Sequence, residues 1–102
     1  MSSDFEERMS RRYNERIDRC VGIYLEEVKF TSTLYNQLQR GTISKEAYYQ
    51  TLMLVNEQTE FLLLRIKRAM VILEENGLEV ENKMAQCMRE VILSVPDREE
   101  KD

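Results

Sequence analysis

One proline and three glycines among 102 residues leave this chain almost no means of interrupting a helix. Pro stands only at 96 and Gly only at 22, 41 and 77. The fold class that follows is all-α, because no β-type alternation runs for more than a few residues. Asp4 to Gln39 reads as one helix, with Gly22 its only disfavoured residue and Asp4/Glu7 at capping-box spacing. Its apolar seam is Ile17, Val21, Tyr24, Val28, Thr31, Tyr35 and Leu38, alternating steps of 4 and 3 in a heptad pattern.

Gly41 ends that helix, since glycine takes the left-handed cap conformation without a Cβ penalty. A second helix, about 45–76, starts from Ser44 as N-cap, with Glu46 in the first turn and Ile43 and Tyr48 at staple positions. Its seam is Tyr48, Leu52, Val55, Thr59, Leu62, Ile66, Ala69 and Leu73. Asn76-Gly77 closes it, and a shorter third helix is expected over about 79–95, stopped by Pro96. Residues 1–95 thus form one helical domain, and 96–102 are expected to be a charged, disordered tail.

At 1.5 Å per residue the first two helices are roughly 50 Å and 48 Å long and the third about 22 Å. A compact chain of this size has a radius of gyration of about 13 Å, so either the first helix breaks, at its start or at Gly22, or the molecule is elongated. The short connection makes the long helices an antiparallel hairpin, with Cys20 facing Arg65 and Leu38 facing Ala47. The third helix can cover only the open end. The turn end is left as a two-helix arm on which Phe30, Leu34, Met53 and Leu54 lie beyond what one seam uses. The hairpin of residues 17–73, with its Arg40-to-Tyr48 joint, resembles in shape the dimerising four-helix bundles of plasmid regulatory proteins, without sharing identifiable motif residues.

Composition excludes most chemistry. There is no histidine, which removes the commonest general base and metal ligand. Phosphate-loop and dinucleotide fingerprints are absent, and Cys20 and Cys87 lack zinc-site spacing. Both cysteines read as buried inert thiols, with a disulfide open only to favourable geometry. No catalysis, cofactor or metal is expected. The longest uninterrupted apolar run, Phe61 to Leu64, is far short of a membrane span, and no secretory signal opens the chain. A cytoplasmic location is the expectation.

Arg8, Arg12, Arg16 and Arg19, with Arg65 and Arg68 at a similar height on the second helix, could make a basic face for phosphates. Against it, Asp4–Arg8, Glu7–Arg11 and Glu15–Arg19 have the spacing of stabilising helix ion pairs, and residues 1–20 hold five acids and five bases. Tyr13, Tyr24 and Tyr35 read as core residues with hydroxyls at the rim, or as interface residues at the hairpin end.

The sequence therefore points to a small helical protein–protein interaction module, a homodimer or an accessory subunit of a larger complex. Phe30, Leu34, Tyr35, Tyr49, Met53 and Leu54 would be its partner-binding residues. The alternative is a nucleic-acid-associated accessory protein using Arg8, Arg12, Arg16, Arg19, Arg65 and Arg68.

Overall fold

Gly41 decides where the chain reverses. In the computed structural model, which describes residues 3–98, α1 runs Ser3–Arg40 and α2 runs Lys45–Glu75. Gly41 takes φ +75°. Its N–H donates to Leu38 O at 3.1 Å, and that of Thr42 donates to Gln37 O at 3.0 Å. These paired bonds satisfy two carbonyls that the helix end would otherwise orphan. Ser44 then caps α2, its hydroxyl accepting from Ala47 N at 3.1 Å. Asp4 lies inside α1 rather than at its cap, and Ser2 lies outside the described residues.

The two long helices pack antiparallel as expected, and α2 uses the seam read from its sequence. The α1 seam differs in its second half. It runs through Tyr24, Glu27, Thr31, Leu34 and Leu38, while Val28 and Tyr35 stand beside it, 47% and 50% exposed. The step from Tyr24 is three residues rather than four, which brings charged Glu27 inward. Its carboxylate accepts from Thr59 Oγ1 at 3.1 Å, so the polar group has a partner across the seam. Leu34, expected on the outer face, is consequently buried at 5% exposure.

Beyond α2 the chain makes no single third helix. Gly77, at φ +69°, repeats the glycine ending, with Leu78 N donating to Leu73 O at 2.8 Å. Residues 78–82 then run without helix to two one-turn helices, α3 (Lys83–Cys87) and α4 (Arg89–Leu93). The physical reason is Asn14, a buried α1 side chain with no apolar signature. Its Nδ2 donates to Glu79 O at 3.1 Å and its Oδ1 accepts from Glu81 N at 2.9 Å. Those backbone groups are held by a side chain instead of by a helix. Asn82 then caps α3 through Ala85 N and donates to Asp18 Oδ1, both at 2.8 Å. Val80, which looks like the first apolar residue of a helix, is instead drawn into the core from this connection.

The core sits at the open end, where Ile17 of α1, Ile66, Met70 and Leu73 of α2, and Ile92 of α4 are all fully buried. Val80 and Ala85 complete the cluster from the C-terminal segment. Of the residues expected to form a free tail, 96–98 lie along α2. Lys67 Nζ donates to Val95 O at 2.6 Å and pairs with Asp97 at 3.3 Å. The Arg98 guanidinium lies 5.6 Å from the Phe61 ring centre and 3.4 Å from Glu60. Residues 99–102 lie outside the described residues. Arg89 grips Glu74 with two hydrogen bonds of 2.9 and 2.8 Å, and these hold the Glu74 carboxyl below the usual carboxylate range. The molecule measures 62 × 29 × 22 Å with a radius of gyration of 16.9 Å, elongated as the helix lengths require.

Asn14→Ala tests this account of the connection. It leaves Glu79 O and Glu81 N without their partner beside the core, and the expected loss is about 2 kcal/mol in urea unfolding. A loss below about 0.5 kcal/mol would mean that water replaces the amide and that the clamp is not what stops a third helix.

Candidate functional site

Because α1 and α2 are antiparallel, the residue one step C-terminal to a seam position lies about 100° round on the same side of the hairpin for both helices. Residues one step N-terminal to the seam share the opposite side. The C-terminal segment marks the first side. Asp18 and Met70, each one step past a seam residue, meet Asn82 or the core built with this segment, and Asn14 bonds residues 79 and 81. Farther along the arm the same side carries Leu25, Val28 and Tyr35 of α1 and Tyr49 and Met53 of α2, all exposed. Among the described residues nothing covers them.

The expected partner-binding set is therefore divided. Tyr35, Tyr49 and Met53 lie on the first side, Phe30 and Leu54 on the second, and Leu34 is inside the seam. Met53 and Leu54, neighbours in sequence, are 71% and 67% exposed on different sides of α2. The tyrosines near the turn stack edge to face, with ring centres 6.5 Å apart for Tyr35–Tyr48 and 5.2 Å for Tyr48–Tyr49. Leu25 and Val28 escape sequence reasoning as exposed residues, since Val28 fits the apolar heptad and looks buried.

On the second side, toward the open end, α1 and α2 enclose a cleft lined by Arg16, Arg19, Arg65 and Arg68 over a floor of Cys20, Ile23 and Leu62. This brings together four of the six arginines of the expected basic face. The other two, Arg8 and Arg12, line a shallower concavity with Phe5, Met9 and Tyr13. Tyr13 carries two guanidinium groups, with Arg12 Cζ 5.8 Å and Arg16 Cζ 5.1 Å from its ring centre. The ion pairs expected within α1 do not form. Among the described residues, no carboxylate pairs with Arg8, Arg11, Arg12, Arg16, Arg19 or Arg65. Asp18 is turned instead to Asn82. Arg68 donates to Arg98 O at 3.1 Å.

Cys20 is a buried free thiol, as its seam position implies. Cys87 is free but exposed, because α3 ends at that residue and turns its apolar face through Ala85 instead. No bridge joins the two. Among the described residues, no three His, Cys, Asp or Glu side chains converge on a metal-sized site, and no helix is long and apolar enough to cross a membrane. No protein-family model, curated protein or solved structure matches the chain.

Proposed function

We propose that this chain is a helical interaction module that works as a homodimer. In this reading the arm face bearing Leu25, Val28, Tyr35, Tyr49 and Met53 packs against the same face of a second copy. The observation that carries the reading is the position of Val28 and Tyr35. They extend the apolar heptad of α1 yet remain half-exposed, because Glu27 and Leu34 fill the hairpin seam in their place. A helix with a second apolar line beside its seam is suited to a second helical neighbour.

Three further features favour a copy of the chain over a charged partner. The positions one step past the seam on the arm are Leu25, Val28, Ser32, Tyr35, Gln39, Tyr49, Met53, Asn56 and Glu60, of which Glu60 alone is charged, and it pairs with Arg98. A two-fold interface sets a surface against itself, so a face whose one charge is paired meets little repulsion there. Aromatic residues and Met are also what interface centres favour. The chain exposes 7683 Å², against about 6,100 Å² for a compact monomer of its mass. That excess is about 1,600 Å² per chain, twice the ~800 Å² each partner loses in a standard interface, and two copies together would bury an area in the range of obligate homodimers.

The C-terminal segment already occupies this side at the open end. Two arms laid antiparallel would each continue the layer that the other's α3 and α4 begin. Phe30 and Leu54, on the opposite side, are not part of this contact. Light scattering of the intact chain at micromolar concentration is expected to give twice the 12.2 kDa chain mass. A mass of one chain across a broad concentration range would overturn the reading.

A further inference from the structure

The summed charge of α1's first half conceals a segregation. Residues 1–20 hold five acids and five bases, which suggests an electrically neutral end. Rotation of about 100° per residue places Arg8, Arg12, Arg16 and Arg19 within one arc of about 80°. Asp4, Glu7, Glu15 and Asp18 fall in a neighbouring arc of similar width that does not overlap it. The four arginines form a strip about 17 Å long at 1.5 Å per residue. At its inner end Arg65 joins from α2 across the cleft.

We propose that this strip and cleft bind the phosphodiester backbone of nucleic acid. Unpaired guanidinium groups gathered on one face repel one another, and an anionic ligand relieves that repulsion. Among the described residues, Arg16, Arg19 and Arg65 surround the cleft without a carboxylate partner and no acidic side chain lines it. The planar fork of arginine matches two phosphate oxygens at once, which the ammonium of lysine does not.

An extended row favours a linear chain of phosphates over one small anion. Arg12 and Arg16 rest on Tyr13, so they are held on the strip before binding. The same contact sets guanidinium groups against the Tyr13 ring, and a stacked base would have to compete with them. Recognition is therefore of the backbone and independent of sequence. The strip lies on the side of the hairpin away from Val28 and Tyr35, so this site neither needs nor blocks the proposed dimer contact.

The test is fluorescence anisotropy of the intact chain with a labelled mixed-sequence DNA duplex over a range of salt. Three to five phosphate contacts predict an affinity loss of roughly 40- to 500-fold between 50 and 200 mM salt. Arg19→Gln and Arg65→Gln should each flatten the log–log salt slope by about one. Arg11→Gln, which lies in the acidic arc, should leave both slope and affinity unchanged, with helicity by circular dichroism checked for all three. The proposal fails if no binding occurs at 20 mM salt, if Arg19→Gln and Arg65→Gln bind as the parent does, or if Arg11→Gln weakens binding equally. Competition by polyglutamate as strong as by unlabelled duplex would also overturn it, since that would mark a site for any polyanion.

Discussion

Val28→Glu is expected to convert the proposed dimer into a monomer while leaving the helices intact. Val28 is half-exposed in the single chain, so a carboxylate there keeps its water and folding is unaffected. Against a second copy the same carboxylate would be desolvated opposite apolar side chains, at a cost of several kcal/mol for each uncompensated buried charge. A two-fold contact repeats the substitution, so the cost is incurred twice. Micromolar association amounts to about 8 kcal/mol, and a penalty of this size removes most of it. Tyr49→Glu should act in the same way from α2. Phe30→Glu supplies the contrast, as Phe30 is comparably exposed but lies on the other side of the hairpin. Sedimentation equilibrium should give monomers for Val28→Glu and Tyr49→Glu and a dimer for Phe30→Glu, all with parental circular dichroism. The reverse pattern would move the interface to the Phe30–Leu54 side.

The division of the arm into two sides shows where sequence reasoning is sufficient and where it stops. Caps and turns are legible because they are local. Gly41, Ser44 and Gly77 act through backbone groups within a few residues, and each sits where the sequence puts it. The α2 seam is legible because its alternating steps of 4 and 3 run unbroken from Tyr48 to Leu73. The α1 seam is ambiguous at a single step, between Glu27 and Val28. Hydrophobicity favours Val28, but the partner helix offers Thr59 to hydrogen-bond the carboxylate, and that depends on α2. From that step onward alternate positions shift by one residue: Glu27 replaces Val28 and Leu34 replaces Tyr35, while Thr31 and Leu38 stay in the seam.

The third segment misleads for a related reason. Val80, Met84, Cys87 and Val91 have helical spacing, but the bonds that hold residues 79–81 straight come from Asn14, more than sixty positions earlier. A polar side chain in an apolar stripe is the only signal of such a clamp, and it names no target. The arginines fail in the opposite direction. Favourable i, i+4 spacing suggests pairing, yet none of those pairs closes, and exposed pairs of this kind gain too little to fix two long side chains.

Removing residues 79–102 should have the largest effect on stability, because the core is built where the C-terminal segment meets the hairpin. Met70 and Leu73 are fully buried in the intact chain, and Met70 lies on the side that this segment covers. Uncovering side chains of this size forfeits about 1.5–3 kcal/mol each, hence up to roughly 3–6 kcal/mol for the two. A chain of this length has a total stability of only about 5–15 kcal/mol. The remaining hairpin keeps one seam, whose turn half contains Glu27, Thr31 and Thr59 in place of larger apolar groups. Such a seam is a weak substitute for the lost layer. Chain 1–78 is therefore expected to unfold at markedly lower urea, with a broad transition. Ile92→Ala, which opens a cavity at a fully buried α4 position, offers a graded version costing about 2–5 kcal/mol without removing any backbone. Urea titrations followed by circular dichroism, at equal chain concentration, check both. If chain 1–78 unfolds as cooperatively and at the same midpoint as the intact protein, α3 and α4 merely rest on a hairpin that is stable without them.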